Sequence, residues 1–137
     1  MIGKTNALAG GAKLKYASGT VTTAYTSSKT SGYHFLYLDV TGLDFQPIAA
    51  WASSSYSYFD SSLSYDANSV IFSPDNMNSV LCHDLDMSSV DRDAARAAKV
   101  FINSNIKENG FVLPMDANTD SYSSSNTYPC AWFAVGV

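Results

Sequence analysis

Charge is what this chain has least of. Acidic and basic side chains make up 15% of its 137 residues, with a net charge of -4. Lys13 and Lys15 form the densest basic pair, so a phosphate backbone would find little to neutralise and nucleic acid is excluded as an expected partner. Cysteine is scarce too. Cys82 and Cys130 are far apart and neither belongs to a CxxC motif, which reads as two buried thiols more readily than as a disulfide framework. A bridge between them stays open at this level, because strands remote in sequence can be neighbours in space. No window approaches the roughly 18 apolar residues of a membrane span, and Met1 to Gly11 lacks the apolar centre of a secretory signal. The expectation is synthesis and assembly in cytoplasm, without membrane insertion. No internal repeat of the solenoid kind is present.

What is abundant points to β-structure. Aromatic residues reach 13%, and polarity is carried by Ser, Thr, Asn and Tyr instead of by charge, a balance that suits strands better than helices. The length is that of one domain, able to bury roughly two-thirds of its unfolded surface. Residues 1–13 are small, Gly-containing and non-periodic, and are expected to form a flexible docking arm ahead of a domain spanning 14–137. Strands are expected over Leu14 to Ala24, over Gly32 to Val40 and over Ile48 to Ala52, with Pro47 at the start of the third, where no ladder donor is needed. In the second, Tyr33, Phe35 and Tyr37 alternate with Leu36, Leu38 and Val40. Ser69 to Ser73 and Ser79 to Leu85 follow across a Pro74-Asp75-Asn76 turn.

One segment breaks the pattern. Asp91 to Lys99 carries alanine at four positions after Ser88-Ser89-Val90, and predicts a short helix near 89–99. Val100 to Asn105 then returns to strand character, and Asn109-Gly110 predicts a tight hairpin turn. In the last two strands, Phe111 to Met115 and Tyr128 to Val137, both faces are apolar. Such strands lie inside a sandwich or against another subunit. The fold expected is a small, all-β, antiparallel sandwich. Tyr33, Phe35, Tyr37, Trp51, Phe111, Trp132 and Phe133 are the candidates for its core or interface.

Reactive constellations are thin. Cys82-His83-Asp84-Leu85-Asp86 holds thiol, imidazole and carboxylates, but along a strand His83 faces away from the others, which argues against a single metal site. His34 lies in an apolar strand, where a hydrogen-bonded core or interface histidine is the ordinary reading, and no G-x-S-x-G surrounds any serine. Glu108 is the single glutamate, and the aspartates are scattered through turn-like segments where they support local backbone hydrogen bonds. No catalytic residue, metal or cofactor is assigned. The Ser/Tyr tracts over 53–66 and 116–128 combine rigid amphipathic rings with adaptable hydroxyls, the mixture of a binding loop, and Tyr56, Tyr58 and Tyr122 are the candidate ligand contacts.

Two sets of motifs resemble known proteins. Ile2-Gly3-Lys4-Thr5-Asn6-Ala7, Gly10-Gly11 and Tyr16-Ala17-Ser18-Gly19-Thr20-Val21 resemble the start of tail, baseplate and minor structural proteins of bacteriophages and prophages of Gram-positive bacteria. Val40-Thr41-Gly42-Leu43-Asp44-Phe45-Gln46-Pro47, Asn109-Gly110-Phe111-Val112-Leu113-Pro114 and Trp132-Phe133-Ala134-Val135-Gly136 resemble a fibre-tip β-sandwich similar to the H-type lectin domain. This resemblance implies a homotrimeric, six-stranded antiparallel sandwich at a fibre end, meeting host-surface carbohydrate without catalysis. The function expected is a virion structural protein, a small fibre or baseplate-tip component docked to other virion proteins through residues 1–13. The alternative is an architectural head or tail decoration or adaptor with no host ligand. A stand-alone hydrolase is the third reading.

Overall fold

The computed structural model describes residues 13–54, 67–71, 79–83 and 92–137, with the backbone alone for 67–71, 79–83 and Arg92. The expected arm before Lys13, the Pro74-Asp75-Asn76 turn, the Ser88 to Asp91 cap, and Tyr56 and Tyr58 lie outside the described residues. The described residues are mostly β, with eight strands in place of the six that the resemblance implies and one α-helix. In order it forms β1 (Lys15–Thr22), β2 (Ala24–Tyr25), β3 (His34–Val40), β4 (Pro47–Ser54), β5 (Ala67–Ile71), β6 (Ser79–His83), α1 (Arg92–Ser104), β7 (Phe111–Asn118) and β8 (Pro129–Gly136). A five-stranded antiparallel sheet has the order β1-β8-β4-β5-β6, and a three-stranded one has the order β2-β3-β7.

The two sheets share one core, and residue size decides how they meet. Most of the buried inward positions on the central strands of the larger sheet are small: Ala50 and Ala52 on β4, and Cys130 and Ala134 on β8, with Trp132 the large exception. The smaller sheet fills the space with Leu38, Val40, Phe111 and Leu113. Small facing large is how close-packed layers interdigitate. Phe111 meets Trp132 edge-on across the gap, with ring centroids 5.7 Å apart. Trp132 is paired with Gly19 of β1, and a Cβ on Gly19 would stand 3.0 Å from the indole. The glycine leaves room for the ring that covers it.

The other face of β3 and β7 is covered by α1. Ala97, Ala98, Phe101 and Ile102 form its buried stripe, and Phe101 packs on Phe35 and Tyr37 at 5.1 and 5.0 Å. The helix is longer than the 89–99 expected, and Val100 to Asn105 is not a strand. The modest helix cost of Val, Phe and Ile is outweighed by burial of Phe101 and Ile102, worth about 1.5–3 kcal/mol each. Positions 97, 98, 101 and 102 share a face only in a helix. Asn105 ends it, its side-chain amide donating to the Phe101 carbonyl at 2.8 Å.

Turn chemistry differs in one more place. Asn109 does adopt positive φ, at 53°, but Asn109-Gly110 links the helix to β7 and is not a β-hairpin turn. Gly110 is needed for proximity, since a Cβ there would run into the Val40 carbonyl oxygen, as one on Gly136 would into that of Gln46. On β4, Pro47 stands first, and a bulge follows it, because Pro47 pairs with Gly136 and Ala49 with Val135. The bulge leaves Ile48 exposed and keeps both Pro47 and Ala50 inward. The question of Cys82 and Cys130 is settled by strand order. β4 and β5 stand between their strands, a separation of about 14 Å against the ~7 Å limit for a disulfide. Cys130 is a buried thiol outside any disulfide.

Gly110→Ala and Gly136→Ala are each expected to lower unfolding free energy by about 2–3 kcal/mol, since backbone at both sites has no route to yield. Denaturant titration measures this. A wild-type midpoint for either would mean that the strands approach less closely there than described.

Candidate functional site

Hydrogen bonds fix the two ends of the layered domain. At one end Gln46 clamps the turn before β7, its amide donating to the Lys107 carbonyl at 3.1 Å and its Oε1 accepting from the Asn109 N–H at 2.8 Å. Leu43 N–H donates to the Asn109 carbonyl at 2.9 Å. Lys15 lies 3.7 Å from Asp44, and Lys107 lies 3.2 Å from Asp39. This pole carries the start of β1 and the end of β8, and its surface is charged.

The opposite pole is built of hydroxyls. Buried Thr23, where β1 passes from one sheet to β2 in the other, donates its N–H to the Tyr128 carbonyl at 3.0 Å. Its Oγ1 accepts from the Tyr128 N–H at 3.1 Å. The β2–β3 connection closes through Thr30 and Tyr33, which exchange backbone hydrogen bonds. Ser31 and Gly32 between them sit at φ 50° and 92°, the paired positive angles of a type I′ turn. Thr26 ties this loop down, with Oγ1 accepting from the Phe35 N–H at 3.0 Å. The His34 ring Nδ1 lies 3.3 Å from the Thr26 carbonyl oxygen, the satisfied, buried histidine that the sequence describes.

The segment between β7 and β8 belongs to the same pole and is held by its own side chains. Asp120 N–H donates to Asn118 Oδ1 at 3.0 Å and Ser123 N–H to Asn126 Oδ1 at 2.9 Å. Thr127 Oγ1 donates to the Ser124 carbonyl at 2.8 Å across a single 3-10 turn, Ser124–Asn126. Ser54 pairs with Cys130 and Ser53 with Ala67, so the chain leaves for residues 55–66 and returns from them at this end. Tyr56 and Tyr58 fall in that connection. The described loops of this pole, 26–33 and 119–128, present neutral donors and acceptors already fixed by local hydrogen bonds, which lowers the ordering cost of binding. In 26–33 and 119–128, Lys29 and Asp120 are the only charged residues.

The remaining candidates separate into three places. Phe35 and Phe111 are fully buried, and Tyr33, Tyr37 and Trp132 are half-buried against the core. Tyr122 is also half-buried, packs on the core and has its hydroxyl oxygen covered, so it supports its loop from beneath. Trp51 and Phe133 point outward on the far face of the large sheet, 45% and 39% exposed, with Tyr16 at 73%. Tyr16 was not among the sequence candidates. The signal was the alternation Ala50-Trp51-Ala52, in which the small residues are the inward ones.

Among the described residues no group of three or more His, Cys, Asp or Glu is placed to hold a metal ion, and no helix is long and apolar enough to cross a membrane. Comparison of the chain with protein-family models, with curated proteins and with solved structures found no match.

Thr23→Val removes the acceptor of a buried N–H and is expected to cost about 1–3 kcal/mol, whereas Thr127→Val, in an exposed turn, should change stability by about 0.5 kcal/mol or less. Equal melting temperatures for the two variants would contradict the account of Thr23 as the clasp of this pole.

Proposed function

We propose that this chain is a virion structural protein, a small fibre or baseplate-tip component that docks by its charged pole and offers its hydroxyl-rich pole to host-surface glycan. One observation carries the reading: the two Ser/Tyr tracts of the sequence start and finish at one end of the sheets, while β1 is entered from residues 1–13 at the other. A tether and a recognition surface at opposite ends suit a protein that stands on a particle and points outward. Neutral hydroxyl and amide groups interleaved with tyrosine match the hydrogen-bonding and stacking needs of sugars. The resemblance of the N-terminal motif to phage tail and baseplate proteins supports the docking end.

Binding of the purified chain to intact Gram-positive cells and to their isolated cell-wall glycan tests the proposal. Tyr56→Ala and Tyr58→Ala are expected to reduce binding about tenfold each with little change in melting temperature, the effect of losing one stacking contact. Tyr122→Ala should instead lower the melting temperature, because its ring packs on the core. Truncation of residues 1–13 should leave glycan binding intact and abolish incorporation into particles. Undiminished binding by folded Tyr56 and Tyr58 variants would leave the architectural reading, with no host ligand, as the better one.

A further inference from the structure

The outer face of the large sheet carries large rings where much of its inner face carries small residues. The inward positions on β4 and β8 include Ala50, Ala52, Cys130 and Ala134, with Pro47 and Trp132 as the larger exceptions, while the outward ones include Trp51 and Phe133. Tyr16 on β1 extends the row. Its ring centroid lies 6.1 Å from that of Phe133, which lies 5.6 Å from that of Trp51. The three rings thus cross three adjacent strands in continuous contact, and at ~150–250 Å² per aromatic side chain their exposed parts leave roughly 300 Å² of ring in water. Continuing the register sets Leu14 beside Val137, 50% and 51% exposed.

We infer that this face is where a second copy of the chain packs, sheet against sheet. Two features commit the surface to a like partner. A self-complementary contact brings each patch against its twin, so a strong charge of one sign would repel itself. Every outward position of β1, β4 and β8 is uncharged: Tyr16, Ser18, Thr20, Thr22, Ala49, Trp51, Ser53, Ala131, Phe133 and Val135. The area also fits. Three strands of eight residues and two of five, about 4.8 Å apart, give a face of roughly 550 Å² in projection, the scale of a standard interface with ~800 Å² of accessible surface per partner. Its make-up is an aromatic row continued by exposed Leu14, Ile48 and Val137 at one end and bordered by serines and threonines at the other, the apolar core and polar rim of an interface. The smaller sheet has no comparable open face, because α1 covers β3 and β7. The inference stands apart from the glycan reading, which concerns the pole and survives if this face proves bare.

Sedimentation equilibrium of the full chain between about 1 and 100 µM tests it. Reversible self-association is expected in that range, weakened about 30-fold or more by Trp51→Lys on the middle strand of the sheet and little by Thr20→Lys on its edge strand. If Trp51→Lys does not fold, Tyr16→Lys takes its place, the ring there being 73% exposed. In Trp132→Phe, where Trp51 is the one remaining indole, acrylamide quenching should fall as concentration rises. A monomer at the highest concentration, self-association indifferent to the Lys variants, or an indole equally quenched throughout would each overturn the inference. So would protection of Trp51 in the dilute chain by soluble N-acetylglucosamine oligomers, which would make the face a sugar platform.

Discussion

The structure depends on β8 being hydrogen-bonded along both edges. β8 pairs with β1 from Lys15↔Gly136 to Thr22↔Pro129 and with β4 from Pro47↔Gly136 to Ser54↔Cys130. Without it the large sheet separates into an isolated first strand and a β4-β5-β6 remnant. The same strand carries Trp132 over Gly19, Ala134 into the core, and Gly136 under the Gln46 carbonyl. It also begins at Tyr128 and Pro129, where Thr23 clasps the hydroxyl-rich pole across 105 residues of sequence. Closing contacts of such separation costs loop entropy before burial returns anything, which places the domain among the slow, non-local folders.

This constraint explains the distribution of side-chain size. A strand held on both edges cannot shift sideways, so the distance between layers is set by what stands between them. Alanine, cysteine and glycine on the inner face of β4 and β8 let the smaller sheet come close enough for Phe111 and Leu113 to fill the gap. Helix α1 then seals the far side of that sheet through Phe101. The core is satisfied without Trp51, Phe133 or Tyr16. Large rings that the core does not use, in contact with one another across three strands, are what the proposed second copy would bury.

Much of this was legible in the residues. Period-two alternation located β3 and β4, Pro47 marked a strand start, and an alanine-rich run marked the only helix among the described residues. The helix end was misplaced because Val100, Phe101 and Ile102 have strand propensity on their own, and only the packing of Phe101 on Phe35 and Tyr37 decides otherwise. Sequence read Trp51 and Phe133 simply as core or interface, because alternation identifies two faces without saying which one is inward. That choice rests on the bulge at Ile48 and on the size of residues in another sheet. The poles were illegible for the same reason. Tracts 53–66 and 116–128 come together only through the pairing of Ser54 with Cys130.

The three proposed surfaces do not overlap, and their geometry restricts how they could work together. Single contacts between a sugar and a small neutral surface are weak, so a tip protein gains from presenting several copies at once, when avidity multiplies affinity by about 10²–10⁴. Sheet-to-sheet packing does this only for one choice of symmetry axis. A two-fold axis perpendicular to the strands would point the hydroxyl-rich poles in opposite directions and leave one copy unable to reach the particle. An axis running along the strands keeps both charged poles on one side and both hydroxyl-rich poles on the other. A protein held at one end and binding at the other is compatible with the second arrangement alone. The uncharged outward positions of β1, β4 and β8 permit it, because among the described residues of that surface no ion pair imposes the opposite direction.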